Sequence, residues 1–142
     1  MATISPAAPP AWFRIAALLA IAWNAIGVFM YLHSVGLFGD PMTDLTPEQR
    51  TAAESVPALI TGAFAVGTFA GLLGSLGLLL RKAWAVPVLL ASLVALAMLE
   101  GWIVFLSGHR EAFGLALPIT VTAGAALLAW LAVKARRRGW LA

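Results

Sequence analysis

The sequence holds no cysteine. That excludes disulfide scaffolds, thiolate metal sites, iron–sulfur clusters and CxxC redox chemistry. Charge is nearly as scarce: 11% of residues are Asp, Glu, Lys or Arg, against about 25% in an ordinary soluble domain. GxxxxGK[ST], HExxH and GxSxG are all missing, and with them the phosphate loop, the zinc-protease helix and the hydrolase elbow. The two histidines, His33 and His109, lie at the ends of apolar runs rather than inside them, a poor arrangement for haem ligation. No metal and no cofactor is expected. No nucleophile–base set appears either, which points away from an enzyme.

What the chain has in excess is apolar surface. Of its 142 residues, 62% are hydrophobic, and the mean hydropathy is +0.95. A soluble fold this small leaves a large share of its surface in water, so part of the solvent must be lipid. Crossing a bilayer core takes about 20 mostly apolar residues. Four runs meet that length: 11–33, 57–80, 83–106 and 112–133. Helix satisfies its own backbone groups in hydrocarbon. A membrane barrel would show segments of about 10 residues with alternating polarity, which these Ala-, Leu- and Gly-rich runs lack. The expected fold is therefore all-α: a four-helix transmembrane bundle, up–down and antiparallel, in one membrane domain over 11–142. Ala20-Ile21-Ala22 formally fits a signal-peptide cleavage site, but the apolar run continues to Leu32, as an uncleaved membrane helix does. Residues 1–10 hold three prolines and no charge and read as a disordered tail.

The connections are unequal. Arg81-Lys82 alone joins the second and third runs, and residues 107–111 join the third and fourth. Only the loop over 34–56 is sizeable. Inside it, Thr46-Pro47-Glu48-Gln49 is a helix start: Thr46 as N-cap, Pro47 at the first helical position and Gln49 closing the capping box. This predicts a short surface helix over 47–54, resting on the bundle mouth and ended by Pro57.

With four spans, both termini and the Arg81 loop share one side. That side carries Arg14, Arg81, Lys82, Lys134, Arg136, Arg137 and Arg138; the other carries Arg50 and Arg110, which accounts for all nine basic residues. Basic loops stay cytoplasmic, so both termini are expected in the cytoplasm of a bacterium, with the chain in its inner membrane. Trp12, Trp84 and Trp130 belt the same boundary. The basic tail 134–142 reads as a contact to anionic lipid headgroups, so the bilayer is the expected partner and nucleic acid is not.

Polar residues within the runs are the candidate site. Glu100 lies about six residues from the end of the third run, roughly 9 Å deep at 1.5 Å per residue. A carboxylate there is costly and must be neutralised, paired or turned to water. It reads either as a proton-coupling or ligand-binding group, or as part of an interhelical hydrogen-bond network. By depth, its expected partners are Tyr31, His33, Thr61 and His109. Asn24 sits mid-helix with Gly27, Val28 and Tyr31 on its face and reads as an amide bonding a neighbouring helix, or else as a binding group. Ala63, Gly67, Gly71 and Gly74 form a small-residue stripe that lets another helix approach closely. Pro118 should bend the fourth helix, with Thr122 meeting the freed carbonyl.

Trp23-Asn24-Ala25-Ile26-Gly27 with Tyr31, then Pro57-Ala58, Ala63-Phe64-Ala65-Val66, Gly71-Leu72-Leu73-Gly74-Ser75 and Leu78-Leu79-Leu80-Arg81-Lys82, closing on Gly139-Trp140-Leu141, resemble small four-helix bacterial inner-membrane proteins. Some of these carry a sugar-transporter label, and most have no established function. The resemblance implies the fold and a membrane role, and no particular binding residue. Two functions stay open. One is a small accessory or assembly component docked on a larger membrane complex or a second copy, favoured by the glycine stripe. The other is a small oligomeric transporter or channel using Glu100. A packed bundle with an exposed small-residue face would favour the first, and a cavity reaching Glu100 the second.

Overall fold

The computed structural model describes residues 8–142; the first seven residues of the expected tail lie outside the described residues. Among those described, the chain is helical with no strand. The elements are α1 (Ala11–Ser34), α2 (Pro47–Glu54), α3 (Ala58–Leu79), α4 (Ala85–Gly101) running into a π-helical turn (Trp102–Leu106), α5 (Arg110–Phe113) and α6 (Ala116–Arg137). Four spans, Ala11–Ser34, Ala58–Leu79, Ala85–Leu106 and Ala116–Arg137, are long and apolar enough to cross a membrane, as in a membrane protein.

Helix α3 packs between α1 and α4, and α4 also packs on α6. The apolar window of α3 is accordingly the most enclosed at 39% buried, against 17% for α1 and for α6. Lipid tails are as apolar as leucine, so helices in a membrane associate through close packing and hydrogen bonds rather than through the hydrophobic effect. The small-residue stripe supplies that closeness. A β-carbon at Gly67 would lie 2.6 Å from Leu96 Cδ2, and one at Gly74 would lie 2.5 Å from Leu89 Cγ. Ser92 Oγ donates to the Gly67 carbonyl at 2.6 Å, tying α4 to α3 at the point of closest approach. Ala63, Gly67, Gly71 and Gly74 are all buried within the chain.

The two ends of the bundle are built differently. At the end bearing the chain termini, all four spans meet in a tight core of Phe13, Ala17, Leu78, Val86, Leu89, Leu131 and Ala135. The segment after α6 completes it. Gly139, at φ +69°, closes α6 with the paired bonds Trp140 N to Ala135 O and Gly139 N to Arg136 O, the Schellman pattern that needs a left-handed residue. The chain then turns back. Trp140 sets its ring edge-on to Phe13 at 5.4 Å, and Ala142 exchanges backbone bonds with Arg81 and Ala83 at 2.8 Å each. The expected basic tail over 134–142 is thus largely ordered: Lys134, Arg136 and Arg137 form the last turn of α6, and Trp140 and Leu141 are buried. An aromatic and a leucine next to a helix-ending glycine are better packed than exposed.

The fourth span also differs from the expected 112–133. Gly114, at φ +69°, separates the short α5 from α6, which starts at Ala116. Pro118 therefore falls in the first turn of α6 rather than in its middle. The expected kink is not needed, because the N–H that proline lacks has no intrahelical partner there anyway. Thr122 has no carbonyl to satisfy and faces a cavity instead.

At the opposite end, α2 forms with its capping box complete: Gln49 N donates to Thr46 Oγ1 at 3.2 Å and Thr46 N to Gln49 Oε1 at 3.0 Å. Helix α2 packs on α5 with Ala52 fully buried. Arg50 Nη2 donates to the Met42 carbonyl at 2.9 Å, which holds the preceding loop against it.

Candidate functional site

Between the four spans, in the half of the bundle nearest α2, lies a cavity of about 510 Å³. Each wall comes from one helix face. On α4, Leu96 and Glu100 are four residues apart and stack on one side of the helix, and Ile103 of the following π-helical turn joins them. On α3, Thr61, Phe64 and Thr68 likewise share one side, and α1 contributes Trp23, Asn24, Gly27 and Met30. From α6 come Leu117, Pro118, Val121 and Thr122, while Met42, Ala53 and Val56 roof the space from the α2 region.

Helices α1 and α6 close the cavity only loosely. Unlike the other neighbouring spans, they make almost no close backbone approach. A β-carbon at Gly124 would come 3.9 Å from the Trp23 indole nitrogen, so the Trp23 ring reaches across this seam. Trp23, Ile26, Met30 and Leu117 on the rim remain about half exposed, on the surface that a membrane-crossing bundle turns to lipid.

Among the described residues, Glu100 is the only ionisable group in the cavity lining. It is partly buried. Its carboxylate has no hydrogen bond or ion pair to any described residue, and no fully enclosed side-chain nitrogen or oxygen lacks a partner among the described residues. Glu100 thus lines the cavity with a carboxylate that is accessible and has no partner among the described residues. The step from α-helix to π-helical turn begins two residues later, at Trp102, with Ser107 N bonded to Trp102 O at 2.8 Å. Such wide turns inside helices are frequent at functional sites.

The other sequence-predicted residues divide into three groups. Thr61 and Asn24 line the same cavity as Glu100. Thr61 directs its hydroxyl back to the Pro57 carbonyl at 3.5 Å, while Asn24 Nδ2 bonds Ala20 O at 2.8 Å and Ser75 Oγ at 3.3 Å. Ser75 passes the chain on to Gly71 O at 2.7 Å. Tyr31 flanks the cavity, edge-on to Phe64 and Phe69 at 5.6 and 5.9 Å. His33 and His109 are elsewhere. His33 is exposed in the last turn of α1, two positions beyond Tyr31 and so on a different side of the helix. His109 caps α5 and borders a separate polar pocket with Thr46, Gln49 and Arg110. The expected hydrogen bond from Glu100 to Tyr31, Thr61, His33 or His109 is therefore absent among the described residues. The π-helical turn and the bend at Gly108 take His109 to the α2 side, and the α1–α3 contact takes Tyr31 into an aromatic cluster.

Sequence reasoning missed Trp23, Phe64, Thr68, Phe113 and Thr122 as cavity residues. The helical spacing of Thr61, Phe64 and Thr68 was a usable signal. Which faces share a cavity depends on the helix pairing, which spacing along one helix does not report.

At the terminal end the basic residues are arranged as a collar. Lys134 Nζ stands over the Trp130 ring at 4.4 Å and the Arg138 guanidinium over Trp140 at 5.4 Å. Arg81 Nε donates to the Trp140 carbonyl at 3.0 Å. Arg14, Lys82, Arg136 and Arg137 are exposed. Comparison with protein families, with curated proteins and with solved structures finds no match.

Proposed function

We propose that the chain is a non-enzymatic polytopic membrane protein that binds a small, mostly apolar molecule in the cavity between its four spans, as a small transporter does. The observation that carries this reading is the cavity itself: about 510 Å³, within the range of roughly 300–1,000 Å³ typical of ligand pockets, apolar for the most part, with Glu100 and a few neutral polar side chains in its lining. The loosely closed seam between α1 and α6 offers such a molecule a route from lipid. A sugar suits this lining poorly, because each sugar hydroxyl loses water on burial and few side chains here could replace it.

The accessory-component reading was favoured by the glycine stripe and by the missing catalytic motifs. Gly67, Gly71 and Gly74 are covered by Leu96, Asn24 with Ser92, and Leu89 of the same chain, so the stripe serves packing within the bundle and is not an exposed face for a partner helix. A bacterial inner membrane with both termini cytoplasmic remains the orientation favoured by the basic residues, and the Lys134–Trp130 collar then meets anionic headgroups.

A neutral apolar photoprobe tests the reading. 3-Trifluoromethyl-3-phenyldiazirine is photolysed with the chain in nanodiscs, and adducts are mapped by mass spectrometry. Adducts on Phe64, Ile103 and Val121 that vanish with excess unreactive analogue are expected. Labelling spread evenly over lipid-facing residues such as Leu19 and Val94, with no competition, would overturn it.

A further inference from the structure

We infer that the cavity ligand carries a positive charge: the site takes a lipophilic cation, with its charged head on Glu100 and its apolar body against the aromatic walls. This rests on the ligand-binding reading above and adds the charge of the occupant. Among the described residues, Glu100 is the only ionisable side chain in the lining, and no Lys, Arg or His shares the cavity with it. Its carboxylate is accessible and has no partner among the described residues. Arg50, on the neighbouring α2, is engaged with the Met42 carbonyl, and Arg110 borders the separate polar pocket by α5. The chain thus supplies an acid in apolar surroundings and leaves its countercharge to whatever enters.

The walls fit the same chemistry. Trp23, Phe64 and Phe113 come from α1, α3 and the α5 region, and aromatic faces attract cations, tryptophan most strongly. Thr122, Thr61 and Asn24 add neutral polar groups to the lining and no positive charge. An anion would meet the Glu100 carboxylate without compensation. A neutral molecule can fill the apolar walls but gives Glu100 no countercharge, so it should bind more weakly than a matched cation.

Two hydrophobic ions of matched size and opposite charge separate charge from shape. The chain in zwitterionic phosphatidylcholine nanodiscs is titrated calorimetrically with tetraphenylphosphonium and with tetraphenylborate. Saturable binding of the phosphonium alone is expected. Glu100→Gln should weaken it roughly tenfold or more, Glu100→Asp should retain most of it, and Val121→Trp, which fills the cavity, should abolish it. Melting curves of the three variants identify any that misfold. Equal binding of both ions, or phosphonium binding indifferent to a well-folded Glu100→Gln, overturns the charge assignment. Absence of phosphonium binding overturns it too. In each case, competed photoprobe adducts inside the cavity would leave the ligand-binding reading standing, and their absence would remove both.

Discussion

The side-chain amide of Asn24 occupies the space that a β-carbon at Gly71 would need. A β-carbon built there falls against Asn24 Oδ1 and stands 3.2 Å from Ser92 Oγ, so a residue of α1 and one of α4 meet over one missing side chain of α3. The Asn24 nitrogen bonds Ser75, Ser75 bonds the Gly71 carbonyl, and Ser92 bonds the Gly67 carbonyl. Three helices are thus joined by polar contacts at the level where apolar attraction between helices in lipid is weakest as a guide to register.

Gly71→Leu should lower stability in detergent by about 1–3 kcal/mol, the usual cost of overpacking. Gly62 is the control, because a β-carbon there meets nothing within 4 Å. Gly62→Ala should leave the melting temperature unchanged or slightly raised, since alanine loses less freedom than glycine on forming helix. Equal losses in the two variants would show that Gly71 faces lipid.

Ser92→Ala removes one interhelical hydrogen bond and little volume. Such bonds in membranes average about 0.6 kcal/mol, so a small but measurable loss in unfolding free energy is expected. Asn24→Leu should cost more, because it removes the bond to Ser75 and forces a branched side chain onto Gly71. The reverse order would contradict the contact described above.

Arg81 adopts a left-handed backbone at φ +60°, where helix ends usually place glycine. It closes α3 with Lys82 N bonded to Gly77 O and Arg81 N to Leu78 O. Arg81→Ala should destabilise by roughly 1–2 kcal/mol, losing the bond to Trp140 O and keeping the strained backbone. Arg81→Gly should be the more stable of the two by up to about 1 kcal/mol. Thermal melts of both variants test this, and alanine equal to glycine would mean that the backbone at 81 relaxes.

Thr46→Ala should remove about 1 kcal/mol of local stability from α2. Amide exchange should rise at Gln49, whose N–H bonds Thr46 Oγ1, and should stay unchanged in α3. Unaltered exchange at Gln49 would show that packing on α5, rather than the cap, holds α2.

The absence of native cysteine makes orientation directly measurable. With Asp44→Cys and Arg136→Cys made singly, a membrane-impermeant maleimide should label the first in intact cells and the second only after permeabilisation. Labelling in the opposite order would reverse the proposed topology.

Local chemistry determined much of this protein without reference to the rest of the chain. Run length and the absence of charge specified four spans, because a helix in hydrocarbon must satisfy its backbone within itself. Thr46, Pro47 and Gln49 specified α2, because a capping box needs only neighbours three residues apart. The stripe from Ala63 to Gly74 marked a packing face. What filled that face was decided only by tertiary structure: whether Gly71 receives a foreign helix or Asn24 of its own chain depends on how α1 and α4 lie against α3. The same holds at Glu100. The sequence placed a carboxylate at membrane depth, but depth along an axis gives no rotation about it, so Tyr31, His33 and His109 were natural partners on paper. The helix pairing and the π-helical turn beyond Glu100 set the rotations, and they leave Glu100 in the lining of a cavity with no hydrogen-bonding neighbour among the described residues. Over 134–142, charge marked a contact to lipid headgroups, and only the tertiary structure showed a left-handed Gly139 turning Trp140 inward against Phe13.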